Sequence, residues 1–245
     1  MLKSVVLPGA AVTLAAAALL LPLRGHEAVA QAPQAAQPFV NVVDLEITPA
    51  SMPRFLAALK DDGAAAIKEA GTQEFVSSVG QKDKSHVFIF EVFNNSAAWD
   101  YHQKTLTYAK FLGLTMIMIS SYSIRPFSSV ALYKSDAPAP QTNPPLLINV
   151  DEIDVADGQL DTFKDAAKTH AAASVKDPGC REFDITVSQT KNNHVLLFSA
   201  FDDAAALAAN QASDHYKAYQ AAIKSIVSQS AALPLSSVAV LTKGQ

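Results

Sequence analysis

Apolar positions along this chain switch between two periods, and the order of the switches occurs twice. From Phe39 to Ile47 apolar residues dominate over a short run, which predicts a strand. A helical stripe follows. Phe55, Leu56 and Leu59 recur near the 3.6-residue spacing, behind Ser51 as N-cap and Pro53 in the first turn, where a missing N–H costs nothing. Gly71 opens a second strand through Phe75-Val-Ser-Ser-Val79, and a polar turn leads to Val87-Phe-Ile-Phe90. That third strand is apolar on both parities and so must be covered on both faces. Asn94-Asn95-Ser96 predicts the cap of a second helix. Tyr108, Phe111 and Leu112 mark a further one, and a last strand runs from Ser121 to Tyr133. The order is β-α-β-β-α-α-β.

The same order resumes at a fixed offset of 108 residues, without a gap. Leu146–Val155 predicts a strand, and Leu160, Phe163 and Ala167 a helix capped by Asp157. Phe183–Val187 and Val195–Phe198 predict strands, and Asp202-Asp203 a second cap. Tyr216, Tyr219 and Ile223 mark the last helix, and Leu233–Leu241 the closing strand. Asn41 falls on Asn149, Phe90 on Phe198, Tyr108 on Tyr216, and Pro126-Phe-Ser-Ser-Val130 on Pro234-Leu-Ser-Ser-Val238. A period this long exceeds a solenoid repeat and suits two copies of one small domain. The chain thus divides into α+β domains at 39–133 and 146–241, joined by a proline-rich linker over 134–145. Each domain reads as ferredoxin-like, with helices on one face of an antiparallel sheet. The other face of each sheet would be bare. The two sheets are therefore expected to face each other as an intramolecular pseudo-dimer, a barrel.

Composition adds compartment and partners. Met1-Leu2-Lys3, an apolar run from Val5 to Leu23, and Ala28-Val29-Ala30 before Gln31 read as a secretory signal peptide over 1–30, with 31–38 as lead-in. An uncleaved anchor is the alternative, although Pro8, Gly9 and Pro22 interrupt the run. The expected location is periplasmic or secreted, with no membrane contact once the signal is removed. A net charge of −4 without a basic cluster argues against nucleic acid as a partner. Cys180 is the single cysteine and reads as structural, since its counterpart is Thr72. The six histidines show no metal-ligand spacing, and no glycine-rich phosphate loop is present, so neither a metal nor another cofactor is expected.

Several stretches together resemble a known family. The second copy reads Asp177-Pro-Gly-Cys-Arg-Glu-Phe-Asp-Ile185, then Val195–Asp203, then Ser213-Asp-His-Tyr-Lys-Ala-Tyr219. The first reads Glu91-Val-Phe93, then Trp99-Asp-Tyr-His102. This pattern resembles the antibiotic biosynthesis monooxygenases, of dimeric α+β-barrel fold, and covers nearly all of 39–241. The resemblance implies oxidation of a small aromatic or quinol-like compound by dioxygen without a cofactor, with a homo-oligomer open as a further assembly. Haem-degrading relatives carry Trp where this chain has His102 and a ligating His where it has Leu112 and Gln220, which speaks against haem.

On this reading the catalytic pair is His102, as base or polariser, and Glu91, orienting it. Trp99 and Tyr108 shape the pocket. Both residues of the pair are also open to a structural role, as a core histidine and its partner. The second copy has Ser199 and Asn210 in their places, so one pocket has lost the pair. Asn41 and Asn149 either donate to a substrate oxygen in each pocket or satisfy backbone at a sheet edge, and Asn210 and Tyr216 complete the second substrate-binding set. The alternative function is a non-catalytic extracytoplasmic module that binds a small hydrophobic ligand.

Overall fold

The structure, a computed structural model, describes residues 37–136 and 145–243. The segment read as a signal peptide and the middle of the proline-rich linker lie outside the described residues. The first half comprises β1 (Phe39–Ile47), α1 (Met52–Ala66), β2 (Thr72–Gly80), β3 (His86–Phe93), α2 (Ser96–His102), α3 (Leu106–Thr115) and β4 (Ile119–Lys134). The second repeats it as β5 (Leu147–Val155), α4 (Leu160–Ser174), β6 (Cys180–Ser188), β7 (His194–Phe201), α5 (Ala204–Ala212), α6 (Asp214–Ile223) and β8 (Val227–Thr242).

Local chemistry explains most boundaries. Asn95 and Asp203 accept from the backbone N–H three residues on and start α2 and α5. Thr105 and Ser213 do the same for α3 and α6. Two expected caps are not used. The chain enters α1 through a 3-10 turn over Pro49–Ser51, and Ser51 already has helical backbone angles, so its hydroxyl makes no cap bond. Gln159, not Asp157, precedes α4, and the Asp157 carboxylate accepts instead from the Asn193 side chain at 2.7 Å. The closing strands start earlier than the apolar pattern implied. The pairings Ile47↔Ile119 and Val155↔Val227 hold the whole length of β1 and β5, so polar Ser and Gln positions are drawn into the ladder.

Both halves have the sheet order β4-β1-β3-β2 or its equivalent, and all pairings are antiparallel. Two seams, β2 with β8 and β4 with β6, join the halves into one closed eight-stranded barrel. Closure leaves no free sheet edge. It also buries the inner faces against each other: Val42, Phe88, Phe90, Val150, Leu196 and Phe198 form one core between the sheets. Phe90 and its repeat equivalent Phe198 stack with centroids 4.3 Å apart and planes 14° from parallel, which marks the pseudo-twofold axis. The outer faces carry the helices, with Phe55, Leu59, Phe75 and Phe111 packed in one half and Phe163, Ala167, Phe183 and Tyr219 in the other. Gly179 sits at φ 82° where the chain turns into β6, and a Cβ there would stand 2.6 Å from the Ala206 Cβ, so glycine lets α5 rest on the turn.

Charge enters the barrel interior at two levels. Arg125 reaches Asp44 at 2.6 Å and Glu152 at 2.7 Å, and Lys134 reaches Glu74 at 2.7 Å and Glu182 at 2.9 Å. Each acid pair consists of repeat equivalents, and each cation comes from β4. Burial, reinforced by Asp184, pushes the Glu182 carboxyl up to about 7 against the pull of Lys134.

The stacked pair gives a direct test of closure. Phe90→Ala is expected to cost about 3–5 kcal/mol in urea unfolding. Adding Phe198→Ala should cost clearly less than a second full increment, because the two rings share one contact.

Candidate active site and its counterpart

Between the first half's sheet and helices lies a cavity of about 240 Å³. Its wall is mostly apolar, from Val43, Leu59, Ile89 and Phe111, with Trp99 and Tyr108 along one side. Two carboxyls interrupt it, Glu91 from β3 and Asp62 from α1. Asn41 lies directly across the β1–β3 ladder from Glu91, and this register aims its Nδ2 at Glu91 Oε2, 2.7 Å away. Burial pushes the Glu91 carboxyl up to about 7 despite the opposing pull of His102 and Asn41. Burial likewise raises Asp62 to about 6 and Tyr108 to about 12.

His102 closes α2 and is fully buried. Its Nδ1 lies 3.2 Å from both carboxylate oxygens of Glu69, and its Nε2 lies 3.8 Å from Glu91 Oε1. The ring is held between Trp99, 5.7 Å away and near-parallel, and Tyr108 at 4.9 Å. Glu69 thus orients the imidazole, a task the sequence pattern had suggested for Glu91. Asn41 Oδ1, Asp62 Oδ1 and His102 Nε2 are all buried without a hydrogen-bond partner. Three unmet polar atoms around one carboxylate are the demand that a polar ligand or water satisfies.

Of the site residues expected from sequence, Glu91, Trp99 and Tyr108 line this cavity, while Asn41 and His102 stand one layer behind it. Asn149, Asn210 and Tyr216 line the equivalent cavity in the second half, of about 430 Å³. Asn149 does not sit idle at a sheet edge. Its Nδ2 donates to Asp151 at 2.8 Å, as Asn41 does to Glu91, and burial raises Asp151 to about 6. Asn210 donates to Asp177, the repeat equivalent of Glu69, at 2.9 Å. The second half has therefore lost Glu91 but placed a carboxyl two residues along β5, within reach of the same asparagine. Asp62, Glu69, Asp151, Asp177, His170 and His215 were not singled out as site residues in the sequence. The aligned acids at 69 and 177, each just before the glycine turn, were the signal available.

Cys180 is buried at the start of β6, and burial pushes its thiol up to about 12, so no thiolate forms at neutral pH. His194, at the start of β7, is buried too, with its Nδ1 2.7 Å from the Asp154 carboxylate. Among the described residues one group of side chains has metal-ligand geometry: Glu74, Glu182 and Asp184 inside the barrel, where the Lys134 ammonium already engages two of the three.

A closed barrel of two ferredoxin-like halves, each with a ligand-sized cavity between sheet and helices, defines a fused member of the dimeric α+β-barrel class. The chain belongs to the antibiotic biosynthesis monooxygenase family, whose model matches residues 38–113 and again 147–222. Two crystal structures, each of a protein named "putative monooxygenase", share the two-half fold. One is from Lactobacillus acidophilus NCFM, with TM-score 0.77, 17% identity, and coverage of 85% of this chain and 97% of that one. The other is from Fusobacterium nucleatum subsp. nucleatum ATCC 25586, with TM-score 0.78, 17% identity, and coverage of 86% and 97%. An anthrone oxidase-like protein also matches, at TM-score 0.60 and 13% identity, over 85% of this chain and 94% of that one. At these identities the likeness is one of fold. No curated protein matches the chain.

The raised Glu91 carboxyl has a signed consequence for stability. Between its ordinary value of 4.5 and about 7 the folded chain keeps a proton that the unfolded chain releases, so stability falls as pH rises through that window. Glu91→Gln keeps an acceptor for Asn41 and is expected to flatten that fall, as read from urea midpoints measured across the window.

Proposed function

We propose that the first-half cavity oxidises a small aromatic or quinol-like compound with dioxygen, without a cofactor, outside the cytoplasm. The observation that carries this reading is a carboxyl of pKa about 7, held by Asn41, in the wall of an otherwise apolar cavity. A general base works best when its pKa lies near the working pH. An electron-rich phenol needs only to lose its proton before its anion can reduce dioxygen, provided water is kept away.

The roles follow from position. Glu91 faces the substrate and takes the hydroxyl proton. His102 stands behind it, its Nε2 3.8 Å from Glu91 Oε1, while Glu69 holds the ring through its Nδ1. Trp99 and Tyr108 hold the ring plane. The substrate anion gives an electron pair to dioxygen. One oxygen atom becomes a carbonyl at a ring carbon that loses its single hydrogen, and the other leaves as water with that hydrogen and the one lost from the hydroxyl. The family membership and the two named monooxygenases of like fold support the reaction class.

Oxygen uptake with a panel of phenols and hydroquinones tests the reading. Uptake should rise with pH to a plateau above about 7. Glu91→Gln should lower it about 10²–10⁴-fold. Ligand-dependent thermal stabilisation without any oxygen uptake would overturn it in favour of a binding module.

A further inference from the structure

The second cavity contains a run of side chains that the first has no version of. His170 comes from α4, His215 from the first turn of α6, and Asp177 from the turn before β6. His170 Nδ1 lies 2.9 Å from His215 Nδ1, and His215 Nε2 lies 3.0 Å from Asp177 Oδ2. Asn210 Nδ2 donates to that same carboxylate oxygen at 2.9 Å.

Tautomers follow from this order. The carboxylate only accepts, so the His215 Nε2–H donates to it. A neutral His215 then offers a lone pair at Nδ1, and the His170 Nδ1–H fills it. That leaves His170 Nε2 with a free lone pair. Its neighbour Ser174 Oγ stands 3.5 Å off and donates instead to the His170 carbonyl at 2.9 Å. His170 is 2% exposed, lines the cavity, and lies flat on Tyr219, with centroids 4.9 Å apart and planes 11° from parallel. Tyr219 lines the cavity too, and its buried hydroxyl has no hydrogen-bond partner. At the far end the side chains of His215 and Asp177 are 22% and 30% exposed. The run therefore leads from a buried ring in the cavity wall to partly exposed groups nearer the surface.

We propose that the second cavity is a proton-transfer site in its own right, where His170 Nε2 takes the proton of a phenol- or enol-type hydroxyl on a small polar ligand and His215 and Asp177 carry the charge to the surface. The ligand O–H bond breaks, and its electron pair stays on the ligand oxygen. The proton joins His170 Nε2, and the His170 Nδ1 proton moves to His215. The positive charge comes to rest on the partly exposed His215 ring beside the Asp177 carboxylate, from which a proton passes to water. Burial and the neighbouring His215 hold His170 neutral, down to about 4, so the ring meets its ligand as a free base and cannot keep the charge itself. The relay removes that obstacle.

Ligand class follows from the wall. Asn149, Asp151, Ser199, Asn210, Gln220 and Lys224 line this cavity, where the first half has Asn41, Val43, Glu91, His102, Leu112 and Met116 in equivalent positions. Lys224 lies at hand for the anion, and the Tyr219 hydroxyl can donate to it. The relay positions 170, 215 and 177 are Asp62, Thr107 and Glu69 in the first half, so this site does not rest on the first cavity's activity.

The test uses 4-nitrophenol, whose phenolate absorbs in the visible, with the full chain carrying Glu91→Gln to silence the first cavity. Below the probe's own titration, added protein should raise a saturable phenolate band. His170→Phe should abolish the band while thermal stabilisation by the probe persists. His215→Asn should keep binding but cut the ionised fraction about tenfold, the equivalent of one pKa unit. If His170→Phe does not fold, the partly exposed His215→Asn decides alone. A band that survives His215→Asn, a probe bound only as the neutral phenol, or no binding at all overturns the proposal.

Discussion

Everything in this structure depends on two apolar sheet faces being pressed together. Neither half can leave Val42, Phe88 and Phe90, or Val150, Leu196 and Phe198, in water. Burying them at about 25 cal/mol per Å² is the largest favourable contribution available to a domain of this size. The seams between β2 and β8 and between β4 and β6 then follow, since closure also removes the free edges. With one face committed to the partner half, the helices have only the outer face to cover. The cavities form there because α1 with α3, and α4 with α6, span the sheet without filling every space against it.

That division of labour separates what must stay fixed from what can change. The interior keeps its repeat equivalents in contact, as at Phe90 and Phe198. The outer cavities keep a scaffold, an asparagine on the first strand and an acid before the glycine turn, and vary the rest. Asn41 holds Glu91 from across the ladder, and Asn149 holds Asp151 from its own strand. Glu69 anchors a histidine, and Asp177 anchors an asparagine and a second histidine. A homodimer has two copies of one site. A fused pair is free to keep two sites with different chemistry.

How far this was legible in the sequence depends on the kind of signal. Strands and helices were readable because each is written twice, at one offset, with its apolar period intact. The barrel was readable because a third strand apolar on both parities needs cover on both sides. The caps at Ser51 and Asp157 were misread: a 3-10 turn precedes α1, and α4 starts two residues later, with the Asp157 carboxylate taken by Asn193. Glu91 was legible as a candidate site acid. Its distance from His102 was not, because the pattern shows which residues share a face but not which acid reaches the imidazole first. His170 and His215 were illegible as a pair: they lie on different helices, and only the packing of α4 against α6 brings them together.

The two cations inside the barrel have a lasting consequence. Arg125 and Lys134 each serve an acid from both halves, yet both come from β4, and the equivalent positions on β8 are Leu233 and Thr242. A pair of first halves would supply a cation for every such acid. A pair of second halves would bring Glu152, Glu182 and Asp184 to face their own duplicates without an arginine or lysine from β8 between them. The C-terminal half thus takes from its neighbour the two cations that neutralise its inward-facing acids, a debt that runs in one direction only.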